Sequence, residues 1–248
     1  MFPLKDNIPT LRFPVVTVTF IAVNVIAYFF WQQGGFSLGE PTGEHFTCNL
    51  FEYAEIPYEI THPGEQVPAP QECDPPTVST WVTLFTSMFM HGGLLHLGGN
   101  MLFLWIFGNN VEDSMGRLKF IVFYLLAGLA ATGLQVAINP DATVPTVGAS
   151  GAIAGVLGGY LLLFPHARVI TLVFIIFFVT IVEVPALWIL GFWFVQQVLF
   201  GYFDLGSQGG EGGVAYFAHI GGFVFGLLVI KLFVDDRKQR AQARHART

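Results

Sequence analysis

The stretch PTVGASGAIAGVLGGYLLLF, residues 145–164, begins as an irregular loop and continues as an apolar segment with regularly spaced glycines. Its apolar part, residues 150–164, is short for a membrane-spanning helix, which needs about 20 residues. Gly151, Gly155 and Gly159 repeat at the spacing that lets two helix backbones approach closely. The stretch therefore predicts a membrane helix packed tightly against a partner helix, with Ser150 in its first turn.

The composition indicates that lipid, rather than water, surrounds most of the chain. Of its 248 residues, 53% are hydrophobic and only 11% are charged, whereas a soluble domain carries about 25% charged residues. Further apolar runs of about spanning length lie at 13–31, 94–111, 118–138 and 216–234. The run 169–203 is too long for one span, so we predict an interfacial or re-entrant lead at 169–182 and a fifth helix at 183–203.

Lysine and arginine are distributed unevenly, and their positions predict the orientation. None of the eleven lies in 32–93, 139–149 or 204–215, so the positive-inside rule places those segments outside and both termini in the cytoplasm. We therefore expect an all-α membrane protein, a six-transmembrane-helix bundle with both termini cytoplasmic, as one domain over 1–248. Its parts are a first helix (14–31), a long acidic external loop (32–93), helices two to six (94–234) and a basic cytoplasmic tail (235–248).

The external loop differs from the rest of the chain in composition. Between Gly34 and Thr80 it carries eight acidic residues and seven prolines but no lysine or arginine, which is typical of a solvated, irregular segment. Both cysteines of the chain, Cys48 and Cys73, lie in it. Outside the cytoplasm they are expected to form a disulfide; two free thiols or a metal-binding pair are less favoured alternatives.

Three of the predicted helices enter the membrane from outside and carry polar side chains near their outer ends. Polar residues within a membrane are costly and therefore indicate a functional site, and Ser150 and His219 lie at a similar depth. A serine hydroxyl becomes a nucleophile when a base within hydrogen-bond reach takes its proton. A GxxxG pattern in the last helix predicts that His219 lies against Ser150, because it favours close packing of helices four and six; its residues are Gly222 and Gly226.

The second helix supplies groups that suit a negatively charged intermediate. His96 and Asn100 are four residues apart and therefore project from one helix face. Together with the Ser150 backbone N–H, which is unpaired in the first turn of its helix, they are candidate hydrogen-bond donors to an oxyanion. His91, five residues before His96, lies at the membrane boundary and is expected to have a supporting or structural role.

Each of these residues also has a structural interpretation. A membrane serine often bonds a carbonyl of its own helix, and Asn100 would serve equally well to bridge two helices. The main chemical alternative is a metal site formed by His91, His96 and His219. The chain has no HExxH pattern and no cysteine or carboxylate at that depth, so we rank the metal site well below the serine nucleophile and predict neither metal nor cofactor.

Several motifs, in order along the chain, resemble those of the rhomboid family of intramembrane serine proteases. A lone GxSG motif would be weak, but the combination is specific. The matching stretches are HGGLLHLGGN (91–100, like HxxxxHxxxN), EDSMGR (112–117, like ExxxGR), GASGAIAG (148–155, like GxSG), EVPALWILGFWFVQQ (183–197, like the fifth helix of prokaryotic members) and AHIGGFVFG (218–226, like AHxxGxxxG).

The resemblance implies a Ser150–His219 dyad without a carboxylate, and an oxyanion site made of the Ser150 N–H, His96 and Asn100. It gives His91 and four glycines supporting roles: Gly148, Gly151, Gly222 and Gly226. The fifth helix and the loop 204–213 would form a lateral gate and a cap. Some bacterial members carry a tyrosine four residues after the nucleophile, where this chain has Ala154, so the orientation of His219 must depend on other neighbours.

The implied activity is cleavage of other membrane proteins in or near their transmembrane helices, through an acyl-enzyme. The expected partners are single-pass or other transmembrane substrates and membrane lipid, with no nucleic acid, and the oligomeric state is left open. The expected location is the cell membrane, with the active site opening to the extracytoplasmic side. The alternatives are a catalytically silent rhomboid-like protein that binds membrane helices, as a chaperone or retrotranslocation factor, and, less favoured, a small transporter or channel.

Overall fold

A computed structural model describes residues 2–39, 41–175, 178–205 and 214–235, together with Gln239 and Gln242. Its elements, in chain order, are β1 (Phe2–Asp6), α1 (Val15–Ile26), α2 (Glu44–Tyr53), α3 (Pro57–Thr61), α4 (Thr80–Thr86), α5 (Leu94–Phe103), α6 (Asn109–Met115), α7 (Arg117–Ile138), α8 (Ser150–Leu163), β2 (Arg168–Ile175), β3 (Phe178–Pro185), α9 (Ala186–Asp204) and α10 (Tyr216–Phe233). A π-helical turn, Ala27–Trp31, continues α1, and a second, Leu104–Gly108, joins α5 to α6.

Helices lie at each of the six positions that the hydropathy pattern indicates. Three of them, α7, α9 and α10, are long and apolar enough to cross a membrane, whereas Val15–Trp31 and α8 are shorter apolar helices. The number of spans and the orientation of the termini therefore remain predictions. Large apolar side chains are exposed on the outer faces of α9 and α10, as expected of helices that meet lipid; they include Trp188, Phe192, Phe203, Leu228 and Leu232.

Helix α8 lies at the centre of the bundle, and every residue from Gly151 to Tyr160 is buried. Its backbone touches that of α10: a Cβ added at Gly222 would lie 2.0 Å from the Gly151 carbonyl oxygen, and one at Gly226 would lie 2.0 Å from that of Gly155. Only glycine permits so close an approach. The predicted tight packing of helices four and six is confirmed.

Gly159, the last member of the predicted glycine ridge on α8, does not contact the backbone of α10; the neighbouring glycine, Gly158, does so instead. A Cβ at Gly158 would lie 2.1 Å from the Phe223 carbonyl oxygen, so Gly158 faces the backbone of α10. A Cβ at Gly159 would instead meet the side chain of Ile230, at 2.8 Å. The strict four-residue repeat drifts around the helix, because 3.6 residues complete each turn.

The expectation of an all-α protein is wrong for the segment between α8 and α9. Strands β1, β2 and β3 form an antiparallel sheet in the order β1-β2-β3, and the described residues of the predicted lead, 169–175 and 178–182, belong to β2 and β3. Both β2 and β3 are rich in valine, isoleucine and threonine, whose branched side chains favour strands. Hydropathy reports burial but does not distinguish an apolar strand from an apolar helix.

The external loop is more ordered than its composition suggested, because it contains α2, α3 and α4. A disulfide joins Cys48 to Cys73, as predicted. The Glu52 carboxylate accepts hydrogen bonds from the Thr77 N–H and hydroxyl. These contacts hold the proline-rich part of the loop against α2.

The EDSMGR motif joins two helices through its first residue, Glu112. Glu112 accepts hydrogen bonds from the N–H groups of Val16 and Thr17 and from the Thr17 hydroxyl, at 2.8 to 3.1 Å. These N–H groups lie in the first turn of α1 and have no partner within that helix. Glu112 thereby fastens α1 to α6.

Two predicted features fall mostly outside the described residues. Of the predicted cap, 204–213, the structure describes 204 and 205. Of the predicted tail, 235–248, it describes 235, 239 and 242.

Candidate active site

Ser150 is the first residue of α8 and follows a backbone turn that requires glycine. Gly148 has a φ of +137°, which L side chains rarely adopt. A Cβ there would also lie 2.9 Å from His96 Nε2 and 3.3 Å from Ser150 Oγ. The absence of a side chain at Gly148 therefore leaves room for the imidazole of His96 next to the Ser150 hydroxyl.

The Ser150 hydroxyl and the imidazole of His219 are hydrogen-bonded, with 2.8 Å between Oγ and Nε2. His219 lies in the first turn of α10, and the close glycine contact between α8 and α10 brings its ring to Ser150. This is the distance at which an imidazole can take the proton of a hydroxyl nucleophile. The predicted pair is therefore adjacent in space.

A third residue, Gln197 on α9, fixes the orientation of His219 and was not identified from the sequence. The Gln197 side-chain oxygen lies 2.8 Å from His219 Nδ1. An amide oxygen only accepts hydrogen bonds, so Nδ1 carries the proton and Nε2 presents its lone pair to Ser150. The signal was a polar residue within an apolar helix, which is costly unless it is paired.

An aromatic ring also lies beside His219. It comes from Trp193 on α9, and not from position 154, where this chain has alanine. The centroids of the Trp193 and His219 rings are 5.7 Å apart, and their planes are inclined by 39°. Trp193 and Gln197 are four residues apart on α9, so both project toward α10 from one face. The fifth helix therefore supplies both of the described contacts that orient the base.

His96 presents a ring N–H beside the nucleophile. The Gly92 N–H donates to His96 Nδ1 at 3.4 Å, so the ring proton resides on Nε2, the atom that borders Gly148. Asn100 lies one turn further along α5 and is 9% exposed; its Nδ2 has no hydrogen-bond partner among the described residues. A buried donor without a partner is costly, which is consistent with a group that donates a hydrogen bond to a substrate oxygen when substrate binds.

His91 lies before α5 and is fully buried. The Gln32 side chain clamps its backbone: Gln32 Oε1 accepts from the His91 N–H, and Gln32 Nε2 donates to the His91 carbonyl. The rings of His91 and His96 meet edge to face with their centroids 5.1 Å apart. Within the described ranges, no group of three or more histidine, cysteine or carboxylate side chains is arranged to hold a metal ion.

A small cavity of about 30 Å³ borders Ser150 on its external-loop side. Its polar lining includes Glu55, an acid of the loop that is solvated by composition, yet this side chain is only 2% exposed. Burial raises the pKa of the Glu55 carboxyl to about 8. The other polar side chains of the lining are Ser87, Thr132, Thr146 and Ser150.

Comparison with known protein families gives one match that covers more than half of the chain. The Rhomboid domain family model matches residues 78–235, which include the Ser150–His219 pair and the whole of α5 to α10. The chain belongs to the rhomboid family.

Named rhomboid proteins from yeast, bacteria and animals are similar to it. Rhomboid protein 1, mitochondrial, of Saccharomyces cerevisiae is 31% identical over 174 residues, which cover 67% of this chain and 47% of the yeast protein. Rhomboid protease GluP of Bacillus subtilis is 30% identical over 148 residues, covering 60% and 24%. Presenilin-associated rhomboid-like protein, mitochondrial, of Homo sapiens is 30% identical over 156 residues, covering 61% and 34%.

These rhomboid relatives support a membrane protein of a family that includes proteases. The chain spans about half of the yeast relative and a smaller share of the other two. The mitochondrial names do not fit the predicted cell membrane.

Proposed function

We propose that this rhomboid protein is an intramembrane serine endopeptidase that hydrolyses peptide bonds in or near the transmembrane helices of other membrane proteins. The observation that carries the proposal is the 2.8 Å hydrogen bond between Ser150 Oγ and His219 Nε2, with Nδ1 held by Gln197. A serine that serves only to pack helices needs no imidazole directed at its hydroxyl. The family membership supports the same reaction.

The proposed reaction begins with proton transfer from Ser150 to His219 Nε2 as Oγ attacks the scissile carbonyl carbon. The carbonyl oxygen becomes negatively charged, and the Ser150 N–H, His96 Nε2–H and Asn100 Nδ2 are the proposed donors that stabilise it. His219 then gives its proton to the leaving amine, which leaves an acyl-enzyme on Ser150. Water, deprotonated by His219, hydrolyses this ester and restores the hydroxyl.

Gln197 has a defined part in this scheme although it touches no substrate. When Nε2 takes the proton the ring becomes positively charged, and its Nδ1–H continues to donate to the Gln197 oxygen. A hydrogen bond to the charged form stabilises it. The amide thus replaces the carboxylate of a three-membered triad without adding a second charge to the membrane interior.

The proposed substrate is a transmembrane helix with a segment that unwinds easily. The backbone groups of a helix are bonded to one another, so the scissile carbonyl is reached only when the segment is extended. Such a substrate would arrive laterally from lipid. We propose that it enters past α9, whose face is rich in exposed apolar side chains, and that the site opens on the side of the external loop.

Labelling with a fluorophosphonate tests whether Ser150 is activated. We expect the purified protein in detergent to be labelled, and the substitutions Ser150→Ala and His219→Ala each to abolish labelling, because one removes the nucleophile and the other its base. The measurement is in-gel fluorescence followed by mass spectrometry of the modified peptide. A folded protein that neither takes the label nor cuts a model transmembrane substrate would instead support the silent, helix-binding alternative.

Replacing Gln197 with leucine is expected to lower kcat about tenfold. The change removes the acceptor for His219 Nδ1–H, and a hydrogen bond to a charged ring contributes about 1.5 kcal/mol, close to a factor of ten in rate. KM should change little, because Gln197 is not expected to touch the substrate. Gln196→Leu, at the adjacent position on α9, is the matched control, and equal losses in both variants would refute the specific role of Gln197.

A further inference from the structure

Glu55 differs from the other described acidic residues of the external loop because it is buried beside the candidate active site. Its carboxylate Oε1 is buried and has no hydrogen-bond partner among the described residues, and Oε2 accepts only a long hydrogen bond, 3.5 Å, from the Thr132 hydroxyl on α7. Glu59 is also buried, but its carboxylate accepts the Val67 N–H at 2.9 Å. Among the buried acids of this loop that the structure describes, Glu55 is therefore the one whose charge is poorly compensated.

The backbone of Glu55 holds the loop that leads into the nucleophile. The Thr146 N–H donates to the Glu55 carbonyl at 2.7 Å, and the Glu55 N–H donates to the Thr146 carbonyl at 3.2 Å. Further along the same loop, the Tyr58 N–H donates to the Ala142 carbonyl at 3.0 Å. The segment 142–146 is thus fastened to the external loop, four residues before Ser150.

The Glu55 side chain and Ser150 both line the 30 Å³ cavity described above. The other residues that line this cavity, from each of the packed elements, are hydroxyl-bearing or apolar. They are Ser87 and Met88 after α4, Thr132, Ala131 and Gly128 on α7, Thr146, Val147 and Gly148 before α8, Ser150 to Ala152 on α8, and Ala215 and Ala218 at α10. No second charged or imidazole group is among these described lining residues.

An ionised carboxylate in this position lacks the solvation that it has in water, so the neutral form is favoured near pH 7. Ionisation must therefore bring water into the cavity or move the carboxylate out of it. Movement of the carboxylate out of the cavity pulls on the backbone of Glu55, which the paired hydrogen bonds connect directly to Thr146.

We propose that Glu55 is a positioning residue for the nucleophile: in its neutral form it fastens the external loop to the segment 142–149, and its ionisation at alkaline pH releases that segment. The proposal rests on the proposed protease function only in its consequence for the cleavage rate. The release itself is a structural event that is measurable without any substrate.

The test combines amide hydrogen exchange with a pH profile of cleavage, in wild type and in Glu55→Gln, which keeps the shape of the side chain but stays neutral. After correction for the intrinsic exchange rate, peptides covering 142–149 are expected to exchange faster at pH 9 than at pH 6 in wild type and equally at both in Glu55→Gln. The cleavage rate of wild type is expected to fall about tenfold between pH 7 and pH 9, because about one tenth of a group with a pKa near 8 is neutral at pH 9. The variant should show no such fall.

Two further variants sharpen the test. Glu59→Gln removes a neighbouring buried carboxylate and should keep the wild-type profile. Thr132→Val removes the hydroxyl that stabilises the ionised form, so the alkaline fall should move to higher pH. Because Thr132→Val leaves Glu55 in place, the shift of its alkaline fall tests the proposal even if Glu55→Gln does not fold.

Each outcome decides a different point. Equal exchange of 142–149 in wild type and Glu55→Gln at pH 9 would overturn the proposal, whether or not the protein cuts a substrate. The same holds if the alkaline fall in rate persists unchanged in Glu55→Gln. The expected exchange difference in a protein that cuts no substrate at any pH would support the release by Glu55 and refute the protease.

Discussion

Replacing His219 with alanine is expected to slow the cleavage of a model transmembrane substrate by a factor on the order of 10³ to 10⁴. The substitution removes the atom that lies 2.8 Å from Ser150 Oγ and leaves the hydroxyl without a base. It also removes the proton donor for the leaving amine, so both halves of the proposed reaction lose the same group. The measurement is steady-state cleavage in detergent or liposomes, with kcat and KM compared.

The matched control for this substitution is His166→Ala. His166 is exposed and follows the C-terminal end of α8, at the opposite end of that helix from Ser150. The His166→Ala variant should retain wild-type activity. Thermal unfolding of both variants separates chemistry from folding, and a folded His219→Ala protein that retains more than a tenth of the wild-type rate would exclude His219 as the base.

Replacing Gly222 with valine is expected to destabilise the protein by about 3 kcal/mol or more and to abolish serine labelling. The first carbon of any side chain there would lie 2.0 Å from the Gly151 carbonyl oxygen, and the atom in its way is rigid backbone. The two helices must separate, and overpacking of this kind typically costs 1–3 kcal/mol and sometimes more. Since Ser150 and His219 lie on these two helices, their hydrogen bond is lost with the contact.

Gly133→Val on α7 is the matched control, because nothing lies within 4 Å of a Cβ at Gly133. Both variants make the same change of residue within a helix, so the propensity difference cancels. The melting temperature and the extent of fluorophosphonate labelling are compared in one detergent. If Gly222→Val melts and labels like Gly133→Val, close packing of α8 on α10 does not position the dyad.

The family and the pair at its centre could be predicted from the sequence because both depend on local patterns. Apolar runs placed the helices, since transfer into lipid depends on the composition of each segment alone. The glycine repeats predicted the contact between α8 and α10, because small residues at that spacing have few other reasons to recur. With that contact, Ser150 and His219 become neighbours; their catalytic roles remain a proposal.

Other features depended on contacts between segments that are distant in sequence, and only the tertiary structure decided them. Glu55 resembles the other acids of its loop in sequence, and it is the packing of that loop over α7 and Thr146 that buries it. In sequence Gln197 is one of two adjacent glutamines in an apolar helix, and only the packing of α9 against His219 distinguishes it from Gln196. The strand state of β2 involves pairing with β1, which lies at the other end of the bundle's sequence, before the first helix. Hydropathy measures how readily a segment leaves water, whereas partners and protonation states are set by what surrounds each group once the chain has folded.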